Sequence, residues 1–131
     1  MDYYEDSSGF DVEDFLEDSS RRQEQRLEDE LTRIEDQLDQ RYQLFQESLE
    51  ELTSSLKQAV DELNEEYQSF FSGQSEERIQ NLKREIEEFY RLIREERQSH
   101  WSDRQRLEKE RREILRELEE LEELDSVSDL L

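Results

Sequence analysis

The sequence predicts an all-α protein, an antiparallel two-helix coiled-coil hairpin. Three observations carry this. Apolar residues recur at steps of three and four along most of the chain. There is no proline, and the only glycines are Gly9 and Gly73. Hydrophobic residues make up only 31% of the chain, while charged residues make up 44%. So few apolar residues cannot fill a broad core, but a seam between helices needs only about two apolar positions in seven. The abundant Glu, Gln, Arg and Leu are all good helix formers.

Residues 1–20 read as an acidic N-terminal tail. They carry Asp2, Glu5, Asp6, Asp11, Glu13, Asp14, Glu17 and Asp18 and no base. Within them Phe10, Val12, Phe15 and Leu16 interleave with the acids. Acidic-hydrophobic segments of this kind are expected to be disordered or peptide-like alone and to order on a partner.

The first helix is expected over about 20–71. Its apolar positions are Leu27, Leu31, Ile34, Leu38, Tyr42, Phe45, Leu49, Leu52, Leu56, Ala59, Leu63, Tyr67 and Phe70. Successive fours at Ile34–Leu38–Tyr42 and Ala59–Leu63–Tyr67 read as stutters that relax the supercoil. A turn is expected at 72–75, where Gly73 suits a left-handed helix end and Ser75 suits a cap. The second helix is expected over about 76–124, through Ile79, Leu82, Ile86, Phe89, Ile93, Leu107, Ile114, Leu118 and Leu121. Residues 125–131 close the chain as a second acidic tail, with the hairpin spanning 21–124.

Folding back near Gly73 predicts a constant index sum for facing residues. A sum of 149 pairs Phe70 with Ile79, Tyr67 with Leu82, Leu63 with Ile86 and Leu56 with Ile93. The same sum sets Leu52 against Arg97, Leu49 against His100, Phe45 against Arg104 and Leu38 against Arg111. This predicts a weakly packed middle, covered by arginine stems. Adjacent apolar pairs such as Phe89–Tyr90, His100–Trp101 and Ile114–Leu115 place one member in the seam and one outside it. The second members form a surface stripe, so dimerisation into a four-helix bundle is expected.

The charge of -22 argues against nucleic acid as a ligand and against anionic membranes. Apolar runs never exceed two residues, so no membrane insertion is expected. The acidic start is unlike a basic signal peptide, so a cytoplasmic location is expected. Fifteen arginines stand against only Lys57, Lys83 and Lys109, which together with the acids suggests a halophilic source as one origin of the charge.

No cofactor and no enzymatic activity are expected. There is no cysteine, which removes thiolate metal sites and thiol catalysis. His100 is the only histidine, one turn after Glu96. A carboxylate-bridged metal bundle wants Glu-x-x-His, and position 97 is Arg. His100 therefore reads as a seam histidine paired with Glu96. Trp101 reads either as an interface anchor or as a seam residue opposite Ser48.

The candidate partner-binding residues are Phe10, Val12, Phe15, Leu16, Trp101 and Tyr90. They fit a non-enzymatic structural or adaptor protein that forms a homodimer and recruits a protein with a basic-rimmed apolar groove. The alternatives are an acidic nucleic-acid mimic that inhibits a basic protein, and an assembly chaperone.

Overall fold

A computed structural model describes residues 11–69 and 76–130, the last three by backbone alone. The expected turn at 72–75 lies outside them, as do Phe10 and Phe70. The chain is all-α, a helical hairpin of two long helices, α1 (Val12–Ser69) and α2 (Glu76–Leu130). Among the described residues no helix is long and apolar enough to cross a membrane.

Helix α1 starts eight residues earlier than the expected 20. The cause is Asp11, whose Oδ1 accepts hydrogen bonds from the backbone N–H of Glu13 (2.9 Å) and Asp14 (3.4 Å). That satisfies donors that a helix start otherwise leaves open. Glu13 and Asp14 also sit in the first turn, where negative charge meets the positive end of the helix dipole. The acid density that suggests a disordered tail thus stabilises a helix start. Asp11→Ala is expected to cost about 1 kcal/mol locally. Faster hydrogen exchange at Glu13 and Asp14, with the helix beyond Leu27 unchanged, would be the readout. Unchanged exchange at both would remove the capping role. Helix α2 likewise continues past the expected 124, to Leu130.

The contacts divide into two units, each an antiparallel pair of helix segments. The first joins residues up to 37 with 107–131, and the second comprises 38–106. In the first unit the covered positions of α1 are Ser20, Glu24, Leu27, Leu31 and Ile34, at steps of four, three, four and three. Leu27 and Ile34 are the most deeply buried, at 2% and 1% exposure. Across from them α2 buries Leu107 and Ile114. Glu35 Oε1 accepts a hydrogen bond from Arg111 Nε (3.4 Å), and Ser20 Oγ donates to Asp125 Oδ1 (3.2 Å).

In the second unit the same alternation runs through Leu38, Arg41, Phe45, Ser48, Leu52, Ser55, Ala59, Glu62 and Glu66. Ile79, Leu82, Ile86, Phe89, Ile93, Glu96, His100 and Asp103 line the facing seam of α2. The stutters expected in α1 are absent. Tyr42 and Tyr67, expected in the seam, are exposed at 52% and 45%. Arg41 and Glu66 hold the seam positions beside them. Each does so by pairing across the seam: Arg41 with Glu96 and Asp103, and Glu66 with Arg78.

The register also differs from the expected sum of 149. Phe45 against His100 and Ser20 against Asp125 have a sum of 145, and Glu66 against Arg78 has 144. The shift is four residues, about one helical turn. At this register Leu52 falls opposite Ile93, and not Arg97. Arg97, Arg104 and Arg111 lie exposed outside the seam, whose middle is polar instead through Arg41, Ser48, Glu96, His100 and Asp103.

Candidate interaction surfaces

The second unit contains a polar layer built by its seam. Arg41 Nη1 lies 3.5 Å from Glu96 Oε1, and its Nε lies 3.0 Å from Asp103 Oδ2. The Arg41 side chain is largely covered, at 19% exposure, so these pairs are less screened than surface ones. One turn along, the His100 ring stacks on Phe45 at 4.0 Å between centroids and 7° between planes. Tyr42 flanks it at 6.4 Å. The expected pairing of His100 with Glu96 is replaced: Glu96 turns to Arg41, and His100 Nδ1 is buried without a hydrogen-bond partner among the described residues. No group of three or more candidate metal ligands gathers among the described residues.

Burial pushes the His100 pKa below its ordinary range, and the Arg41 and Arg104 charges add to this while Glu96 and Asp103 oppose it. The unfolded chain therefore takes up a proton on acidification before the folded chain does. Stability present above the ordinary histidine pKa of about 6.5 is lost as pH falls through the lowered folded value. One proton limits the slope to about 1.4 kcal/mol per pH unit. Wild type is expected to lose stability relative to His100→Phe between about pH 7 and pH 5, above the range where most carboxylates titrate. Parallel stability curves for the two proteins, from urea melts at each pH, would contradict this.

Outside the seam, the two flanks of the second unit differ in chemistry. On one flank α1 presents Tyr42, Leu49, Leu56, Val60, Leu63 and Tyr67, with no charged residue in that stripe. Lys83 Nζ lies 5.6 Å above the Tyr67 ring, which joins this stripe to the neighbouring one on α2. That stripe steps through Lys83, Glu87, Tyr90, Arg94, Arg97, Trp101 and Arg104. Tyr90 and Trp101 are eleven residues apart, close to three turns, and so share one side of α2. They are 52% and 64% exposed. Trp101 is therefore off the seam, and the alternative that it fills the gap opposite Ser48 is overturned. Its neighbour His100 takes the seam position. Phe89–Tyr90 and Ile114–Leu115 divide in the same way, the second member of each being exposed.

The opposite flank is acidic. An open groove there is lined by Ser48, Glu51, Leu52, Leu92, Glu95, Glu96 and Ser99. Arg91 on α2 is held by Glu88 and Glu95 of its own helix. The Glu88 carboxyl is held below its ordinary range by its hydrogen bond to Arg91.

The remaining sequence candidates lie in the first unit. Val12, Phe15 and Leu16 fall on one side of the first turns of α1, before the seam begins at Ser20, and are 57%, 50% and 59% exposed. Glu13, Asp14, Glu17 and Asp18 surround them. Leu124 and Val127 of α2 are exposed in the same unit. Phe10 lies outside the described residues.

The sequence of this chain matches one family model over residues 1–131, described as a family of unknown function (DUF8104). The chain belongs to the DUF8104 family. No curated protein and no solved structure gives a significant match.

Proposed function

We propose that this DUF8104 protein is a non-enzymatic scaffold or adaptor. Its hairpin self-associates as a four-helix bundle, and its acid-flanked apolar helix start recruits a protein partner. The observation that carries this reading is the exposure of Val12, Phe15 and Leu16 on a capped helix start that the seam does not use. Burying three such side chains in a groove is worth several kcal/mol before ordering costs. Their helix is already formed, so those costs are reduced. The ring of acids selects a groove with a basic rim. A nucleic-acid mimic is less well supported, because one flank of the second unit carries Lys83, Arg94, Arg97 and Arg104 against the single acid Glu87.

The test is a photo-crosslinking residue at position 16, with the exposed position Thr32 as control, in cells that make the protein. Discrete adducts at 16 and none at 32 are expected. Equal labelling at both positions, or none at 16, would remove the recruiting role of the helix start.

A further inference from the structure

We propose that the apolar, cationic flank of the second unit is a docking surface for the acid-flanked helix start Val12–Asp18 of a second copy of this chain. In one respect this rests on the reading above, that the helix start is a recruiting element. It adds the place where that element binds.

The flank is unusual for this chain. In a protein with 40 acids, an arginine on a helix normally finds a carboxylate three or four residues away. Arg21 does so with Glu17, and Arg91 with Glu88 and Glu95. Arg94 and Arg97 do not. The positions three and four residues from them hold Tyr90, Arg91, Ile93, Gln98, His100 and Trp101, as well as each other. Nor does α1 supply an acid, since its adjoining stripe is uncharged from Tyr42 to Tyr67. Neither arginine has an ion-pair partner among the described residues. Two like charges one turn apart repel, and beside exposed Tyr90 and Trp101 they form the basic rim of an apolar surface.

The helix start complements it in charge and in the spacing of its apolar residues. Residues 1–20 contain eight acids and no base. Val12, Phe15 and Leu16 follow the i, i+3, i+4 pattern with which a helix fills a groove. Glu13 and Asp18 project to either side of that apolar side, about 100° from its centre on a helical wheel. Docked on the flank, the apolar side meets the α1 stripe, and the carboxylate turned toward α2, Glu13 or Asp18 according to the direction of the docked helix, meets Arg94 and Arg97. The opposite flank, with Glu51, Glu95 and Glu96, would repel the same segment. A reciprocal pair of such contacts closes a symmetric dimer, whereas a one-way contact repeats into a chain of copies.

The experiment is a charge-reversal cycle on the full-length protein, read by sedimentation equilibrium. The variants are Arg94→Glu with Arg97→Glu, Glu13→Arg with Asp18→Arg, and all four together. Circular dichroism verifies that each remains helical; all four positions are exposed. Wild type is expected to self-associate. Each double variant is expected to weaken association by about tenfold or more, because like charges then face each other. The quadruple variant is expected to recover most of the loss, and crosslinks from position 16 are expected to map to residues 90–104 of another copy. A monomeric wild type would overturn the proposal. So would unchanged association in the Arg94/Arg97 variant, or failure of the quadruple variant to recover. Crosslinks from position 16 only to other proteins would overturn it while leaving the recruiting role intact. Loss of all specific crosslinks at 16 would remove both.

Discussion

Ile34→Ala is expected to lower stability by about 2–4 kcal/mol, the largest effect of any single truncation in the first unit. Ile34 is the most buried side chain among the described residues, at 1% exposure, with Leu27 next at 2%. A two-helix seam has no second layer to collapse into a vacated position. The lost methyl groups therefore cost their transfer free energy and leave neighbouring seam residues open to water. Against a typical total of about 5–15 kcal/mol, this is a large share. Leu16→Ala is the matched control, since Leu16 is 59% exposed and precedes the seam. It is expected to change stability by less than about 0.5 kcal/mol. Urea melts followed by circular dichroism separate the two. A Leu16→Ala effect as large as that of Ile34→Ala would mean that the helix start is part of the folding core. It would then not be a surface held ready for a partner.

The residues that fix the fold were largely legible in the sequence. Leu27, Ile34, Ala59, Ile79, Leu82, Leu107 and Ile114 recur at seam spacing, and all of them are buried. Apolar residues alone do not mark the whole seam: they lead to Tyr42 and Tyr67, where the strict alternation of threes and fours leads to Arg41 and Glu66. Polar residues at seam positions break no periodicity when oppositely charged partners across the seam pair with them. They are invisible until those partners are known. The register error has a related cause. Two heptad patterns overlay acceptably at offsets of about one turn, so hydrophobic matching alone does not choose between sums of 149 and 145. The ion pairs of Arg41 and Arg78 distinguish them, and pairing depends on side-chain reach as well as spacing.

The site candidates were half legible. The exposure of Tyr90, Trp101, Val12, Phe15 and Leu16 follows from their lying off the three-four pattern or ahead of it. The cationic character of one flank is not visible in the net charge of successive blocks of the chain, which is acidic or near balance throughout. It is visible by helix face: Arg94 and Arg97 have no acid at helical spacing, which a chain of this acidity makes conspicuous.

Removing the Arg41 charge is expected to have the second largest effect, and a double outcome that distinguishes stability from specificity. Arg41→Leu alone leaves Glu96 and Asp103 facing an apolar side chain in a partly covered seam, with their mutual repulsion uncompensated. The expected cost is about 1–3 kcal/mol, set by the desolvation of charges that have lost their partner. Replacing all three residues with leucine removes that penalty and extends the apolar seam. The triple variant is expected to match or exceed wild-type stability. Its register should be less well defined, however, because the Arg41–Asp103 pair is one of the contacts that hold the helices near a sum of 145. Spin labels at Gln46 and Gln98 would report this as a single narrow distance distribution in wild type and a broadened or split one in the triple variant. If the triple variant were both more stable and equally well registered, the polar layer would have no role in alignment. Leucine packing alone would then determine how α1 meets α2 in this unit. If it were less stable than Arg41→Leu, the layer would be a net source of stability, and the desolvation argument would have the wrong sign here.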